Sequence, residues 1–386
     1  MDINLFFQPI ALDEFYAKNS LGKIMDIHTQ ENGFPDLDDC NLAIIGVNES
    51  RNAITNDGCK EAPDHVRKYL YQLCSHRSNY KIADLGNIQE GKTTEDTYFA
   101  LKTSVSNLIK KNILPIIIGG SQDLTFANYL AYQELEQVVN LTSIDNKFDL
   151  GSAEDELNSE SFLSKIILHQ PNFLFNYSNL GYQTYFVHDE AIDLIQKLYF
   201  DAFRLGEFNK NIELAEPIIR NADILSFDIS SIRMSDAPGC ENATPNGLYG
   251  EQACQIMRYA GMSDKLSSMG LYEINPLYDN RGQTAQLAAQ MIWYFIDGYY
   301  SRKQDFPYKT KKECTKYRVL LEEEKYELLF YKSNKSDRWW IEVPYPSQKG
   351  IKFERQAIIP CSYEDYEKAT ADEMPDVWWR TYQKLI

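Results

Sequence analysis

Long apolar runs are missing from this chain of 386 residues. No stretch is long enough to span a bilayer, and Met1 to Ile10 has neither a basic leader nor a long apolar segment. The expected compartment is the cytoplasm. Basic residues are few beside acidic ones, 39 against 56, which leaves a formal net charge of −17. Phosphate backbones and anionic membranes are bound through basic patches, so neither nucleic acid nor membrane is an expected partner. Paired cysteine motifs are also missing. Cys40, Cys59, Cys74, Cys240, Cys254, Cys314 and Cys361 are widely spaced with no CxxC pair. Zinc ribbons and thioredoxin-like chemistry are therefore not expected, and reduced thiols are. Histidine is rare, and only His169 and His188 fall in the middle of the chain. Either could move a proton, but each reads more simply as a structural or surface residue. No Ser-His-Asp, Cys-His or phosphate-loop signature is present, since Gly119-Gly120 alone does not make one.

What is present is a regular alternation. Short apolar runs recur at Leu42 to Val47, Ile113 to Ile118, Val138 to Ile144, Ile224 to Ile229 and Leu266 to Ile274. Each reads as a strand buried on both faces. Helical patterns lie between them. One begins near Thr94, where Glu95 and Asp96 suit the positive end of a helix dipole. Its apolar face is Tyr98, Leu101, Val105, Leu108 and Ile109, and it ends in Lys110 and Lys111. Another runs from about Thr284 to Tyr300. Alternating strands and helices predict an α/β three-layer sandwich around a central, mainly parallel sheet.

From residue 306 the pattern changes. Tyr326 to Lys332 and Arg338 to Val343 are strand-like, and the polar Ser333 to Asp337 between them predicts a hairpin. Trp339 and Trp340 should face opposite sides of it. Pro344, Pro346 and Gly350 break the pattern, and short helices are expected near Tyr363 to Ala369 and Pro375 to Leu385. Residues 1–305 are therefore expected to form the α/β domain, and 306–386 a small α+β module. Trp339, Trp340, Trp378 and Trp379 could mark a surface for a protein partner on that module, but for any one of them packing of the module onto the main domain is the stronger expectation.

In an open parallel sheet, ligands bind beyond the carboxyl ends of the strands. Four predicted strand ends carry five carboxylates: Asp123, Asp145, Asp149, Asp228 and Glu273. Buried carboxylates need a proton, a hydrogen-bonding partner or a cation. The cation could be a metal, or it could be Lys147.

The same segments resemble the arginase/agmatinase/formimidoylglutamase family, or ureohydrolases. Leu42 to Gly46 followed by Ala62-Pro63-Asp64-His65-Val66-Arg67 is similar to the family's opening. Pro115 to Gly120 resembles the strand leading into its GGDH motif, and Ser143 to Asp149 its DAHxD motif. Ser226-Phe227-Asp228 resembles the start of SxDxDxxDP, Asp236 to Leu248 the loop that follows, and Tyr272 to Pro276 the E-x-N-P segment. The formimidoylglutamase branch is the most similar. The resemblance implies an arginase-like fold, a homo-oligomer and hydrolysis of linear amidines or guanidines at two manganese ions held by six side chains. Carried over by position, those six are Gln122, Asp145, Lys147, Asp149, Asp228 and Ser230. Both expected histidines are replaced, by Gln122 and Lys147, and one aspartate by Ser230; Arg233 and Met234 stand where the motif ends in Asp-Pro.

Two readings follow. In the first, Lys147 neutralises Asp145, Asp149 or Asp228 through an internal salt bridge. The chain then needs no cofactor and is a pseudoenzyme with a binding or scaffolding role. In the second, Asp149 and Asp228, with Asp123, keep one weakly bound Mn²⁺ or Mg²⁺, and the chain remains a hydrolase. Glu273 stands where the family holds the amidine or guanidine group of its substrate, so Glu273 and Asp123 are the expected ligand-binding residues in either case. Lys147 as a catalytic amine is disfavoured, because neighbouring carboxylates raise rather than lower its pKa.

Overall fold

The computed structural model describes every residue except 1, 13–15, 78, 153–155, 309–310, 322–324, 346–350 and 386, and the side chains of 351–353. Pro346 and Gly350 thus lie outside the described residues.

Ten strands form one sheet: β1 (Phe7–Gln8), β2 (Asp26–Ile27), β3 (Leu42–Val47), β4 (Ile82–Ile88), β5 (Leu114–Ile118), β6 (Val139–Ile144), β7 (Leu174–Tyr182), β8 (Asp201–Arg204), β9 (Ile224–Asp228) and β10 (Ser268–Tyr272). Their order is β1-β4-β3-β5-β10-β9-β6-β7-β8, with β2 also pairing β4. All pairs are parallel except β1 with β4. The five predicted apolar runs are β3, β5, β6, β9 and β10, each within two residues of the expected ends.

Strand geometry explains the two-sided core. Successive side chains point to opposite faces. Ala43, Ile45 and Val47 therefore join one apolar cluster, and Leu42 and Ile44 join the other. Helices Thr94–Lys110 and Leu124–Glu134 cover the first face; Ala62–Leu70, Gly250–Met262 and Gln283–Tyr299 cover the second. The helix at Thr94 begins as predicted, and Thr93 and Asp96 close a capping box around its first turn.

β4 was not expected from the sequence. Its Asp84 is fully buried and takes two bonds from the Arg67 guanidinium, both at 2.8 Å, and one from the Tyr71 hydroxyl at 2.8 Å. Arg67 also donates to Asn87 and, at 3.0 Å, to the Gly86 carbonyl. Such a bidentate pair makes a charged strand residue tolerable in a core. It also gives the opening segment Ala62 to Arg67 a structural role.

The C-terminal hairpin is present, inside a larger antiparallel sheet of β11 (Cys314–Leu321), β12 (Tyr326–Ser333), β13 (Trp339–Glu342) and β14 (Ile358–Cys361). Helices Tyr363–Thr370 and Asp376–Leu385 follow as expected. Trp339 joins the large core cluster, while Trp340 sits in a small one with Tyr331 and Ile358, so the two do face opposite sides. The packing reading of the four tryptophans fits three of them. Trp339, Trp340 and Trp378 are buried, and only Trp379 is exposed, at 40 %. Trp339 packs on Tyr317 and Tyr366 and Trp378 on Tyr326 and Tyr382, all within the module, while Trp340 meets the α/β domain. Arg220 stacks on Trp340 at 4.4 Å and donates to the Trp339 and Cys361 carbonyls. All seven thiols are free, and no helix among the described residues is long and apolar enough to cross a membrane.

Candidate functional site

Strand order gathers the five carboxylates. β5, β10, β9 and β6 are consecutive neighbours in the sheet, so their carboxyl ends form one rim. Asp123 follows β5, Glu273 follows β10, Asp228 ends β9, and Asp145 and Asp149 follow β6. All five are buried. A side chain on Gly120 would collide with the Glu49 carbonyl at 1.8 Å, which explains the second glycine after β5. The Gly120 carbonyl in turn accepts the Glu273 N–H at 2.9 Å. Asp149 and Glu273 both have left-handed backbones, at φ 49° and 66°. Non-glycine residues in that region are uncommon and often belong to functional loops.

The hydrogen bonds at the rim are dense. Gln122 Nε2 donates to Asp145 Oδ2 at 2.9 Å and to Ser226 Oγ at 3.3 Å. The Gln122 backbone N–H donates to Glu273 Oε1 at 2.8 Å, and Asn56 Nδ2 donates to Glu273 Oε2 at 2.7 Å. The Lys147 N–H bonds Asp145 Oδ1 at 2.9 Å, and the Ser230 N–H bonds Asp228 Oδ1 at 2.7 Å. The Ser230 hydroxyl accepts from Asn146 Nδ2 at 3.3 Å. Tyr98 donates to Asp123. Asn56 and Tyr98 are functional-site residues that sequence reasoning missed. Neither belongs to a motif, and both reach the rim only through the fold.

Lys147 overturns its expectation. Its ammonium does not pair with Asp145, Asp149 or Asp228 but with Glu160. Both side chains are partly exposed, at 31 % and 40 %, and with Asp149 and His188 they line an open cleft of about 550 Å³. Burial works against charge on Lys147, but the Glu160 carboxylate outweighs it and holds the lysine pKa above its ordinary value. The reason is local. Glu160 lies in the next loop and offers an ion pair without the desolvation that the rim demands.

The rim carboxylates are left without a paired cation among the described residues. Burial first, then mutual repulsion, raises the pKa values of Asp149 and Asp228 well above the carboxylate range. Asp145 and Asp149 act directly on each other, and burial with this mutual repulsion favours a shared proton on the pair. Burial pushes Glu273 up to about 7 and Asp123 up to about 6. Among the described residues, no three His, Cys, Asp or Glu side chains sit close enough to hold a metal ion. Of the two histidines, His188 is exposed at the cleft. His169 stacks edge-on against Phe126 and Tyr129, with Nε2 2.9 Å from Gln133 Oε1, which is a packing role.

Known proteins share this architecture. The chain is 24 % identical over 320 residues to a formimidoylglutamase of Streptococcus gordonii, covering 75 % of this chain and 94 % of that one. It is 27 % identical over 260 residues to a formimidoylglutamase of Staphylococcus haemolyticus, covering 65 % and 82 %. In fold it is similar to a formimidoylglutamase of Bacillus subtilis, with a TM-score of 0.67 at 17 % identity over 77 % of this chain and 97 % of that one. It is also similar to a Trypanosoma cruzi formiminoglutamase solved with Mn²⁺, with a TM-score of 0.64 at 21 % identity over 69 % and 96 %. Residues 40–297, about two-thirds of the chain, match the arginase family model, and the chain belongs to the arginase family.

Proposed function

We propose that this arginase-family chain binds a small amidine or guanidine cation at its rim carboxylates and does so without a dimanganese centre. The observation that carries the reading is the pairing of Lys147 with Glu160, which leaves the buried carboxylates facing one another with no ion-paired cation among the described residues. A planar cation with several N–H donors answers that deficit, and Glu273, bonded by Asn56 and the Gln122 N–H, is already fixed in place.

The residues present do not fit two manganese ions. Gln122 turns its amide nitrogen, a donor, toward Asp145. Lys147 has no lone pair to give while it is charged. Ser230 offers only a neutral hydroxyl, where an anionic oxygen is the better ligand for such an ion. No step of a metal-hydroxide reaction is therefore assigned to this chain. A second reading keeps one hard cation on Asp149 and Asp228, because the surviving donors are all oxygens and the similar proteins are formimidoylglutamases.

One experiment separates the two. Protein purified without chelator is dialysed into Mn²⁺, and its metal content is measured. It is then titrated calorimetrically with agmatine and with N-formimidoylglutamate. The proposal expects metal near zero, heat of binding that disappears in Glu273→Gln, and no release of urea from agmatine or of formamide from N-formimidoylglutamate. A stoichiometric metal lost in Asp228→Ala, together with turnover, would overturn it in favour of the single-metal hydrolase.

A further inference from the structure

A second cleft, of about 550 Å³, opens beyond the carboxyl ends of β7 and β8. Its wall reverses the sign of the molecule. Arg204, Lys210 and Arg233 line it against a single carboxylate, Glu207, in a chain of net charge −17. An acidic protein has carboxylates to spare for its cations, so a concave surface where positive charge collects is informative.

Two of the three cations are also held apart from those carboxylates. Arg204 ends β8, and its guanidinium donates to Thr184 Oγ1 at 2.9 Å. Among the described residues, neither Arg204 nor Lys210 lies within ion-pair distance of an acid. Arg233 pairs with Asp236 through Nε, at 2.9 Å, and its guanidinium carbon lies 3.8 Å from the centre of the Tyr249 ring. Its two terminal nitrogens make no hydrogen bond among the described residues. Burial raises the pKa of the Tyr182 hydroxyl, with smaller opposing effects from Arg204 and Glu207. Oriented guanidinium groups are suited to planar or tetrahedral oxyanions.

We propose that this cleft is a binding site for a small oxyanion, a dicarboxylate or a phosphate, drawn by Arg204 and Lys210, which no acid among the described residues pairs, and by the terminal nitrogens of Arg233. It is distinct from the rim, which is acidic and calls for a cation. The two adjoin where the Gln183 N–H, at the edge of this cleft, donates to the Asn146 carbonyl at 3.0 Å. The inference goes beyond the proposed rim function and does not depend on it.

The test is calorimetric titration of the full chain at low ionic strength, with inorganic phosphate and with succinate as separate probes. Heat with phosphate alone, with succinate alone or with both supports the site and identifies the anion. The double variant Arg204→Gln/Arg233→Gln should weaken that binding at least about tenfold, the loss expected when charge-assisted bonds of roughly 1.5–3 kcal/mol are removed. Glu273→Gln should leave it unchanged, so failure at the rim and failure here are distinguishable. Arg204 is exposed and Arg233 is partly exposed, and equal urea midpoints would confirm that the double variant folds. No heat with either probe, or heat unaffected by the double variant, overturns the proposal.

Discussion

Glu273→Gln asks whether the rim is held neutral by protons when nothing is bound. Burial lifts the Glu273 pKa from 4.5 to about 7, although Asn56 and the Gln122 N–H both favour its charged form. The sign of the effect on stability follows from proton uptake. Between pH 4.5 and 7 the unfolded chain has released this proton and the folded chain keeps it. Folding is therefore most favoured at the acid end of that window and loses stability as pH rises through it. The 4.5 and 7 endpoints correspond to about 3 kcal/mol across the window, at about 1.4 kcal/mol per pH unit. Urea unfolding in chelator, repeated from pH 4 to 8, reads the slope directly. The amide introduced by Glu273→Gln cannot titrate, so the variant should be flatter than the parent by about that amount. Its absolute stability is a poorer readout, because an amide NH₂ must face one of two donors and lose a bond. Saturating agmatine should flatten the parent in the same way, because a bound cation favours the ionised carboxylate. Equal slopes in the parent and the variant would refute the reasoning.

Three further outcomes are expected. Arg67→Leu leaves the fully buried Asp84 without its bidentate partner and should cost about 3–5 kcal/mol in urea unfolding. Arg220→Ala removes the stacking on Trp340 and the bonds to the Trp339 and Cys361 carbonyls. It should cost about 2–4 kcal/mol, and limited proteolysis should then release C-terminal fragments sooner. Glu160→Gln breaks a partly exposed ion pair, so stability should change by less than about 1 kcal/mol. The freed Lys147 ammonium should then compete for Asp149, and agmatine affinity measured by calorimetry should fall.

The sequence made the fold legible where burial was purely apolar. β3, β5, β6, β9 and β10 are nearly continuous aliphatic runs, and their ends carry the five rim carboxylates. β4 and β7 were not legible, for one shared reason. Asp84 and Asn87 interrupt β4, and Asn176, Ser178 and Asn179 interrupt β7, so neither reads as a buried strand. Their polar groups are answered by distant residues: Arg67 for Asp84, and Asp201 for Asn176 and Ser178. The rim shows the same boundary. The identity and placement of the carboxylates could be read from motifs. The partner of Lys147 could not, because the choice between Glu160 and the aspartates depends on desolvation. The module's tryptophans could be read either as packing or as a partner surface, and burial decides for packing in Trp339, Trp340 and Trp378.

The strongest test of the rim reading is a gain rather than a loss. If Gln122, Lys147 and Ser230 are what deny manganese to this chain, then Gln122→His, Lys147→His and Ser230→Asp together should restore it. The backbone needed for this is in place, since β5, β6 and β9 already deliver all three positions to one rim beside Asp145, Asp149 and Asp228. The triple variant adds two imidazoles and one carboxylate and removes an ammonium, so each change favours a dication. Lys147→His alone should do less, because Gln122 still occupies Asp145. Elemental analysis after dialysis into Mn²⁺ should give about two ions per chain in the triple variant and near none in the parent. Thermal unfolding should then become Mn²⁺-dependent, because a ligand that binds only the folded state stabilises it. A folded triple variant that stays metal-free would show that the rim geometry, and not these three side chains, excludes the metal. A parent that binds two ions would show that the chain never lost its centre.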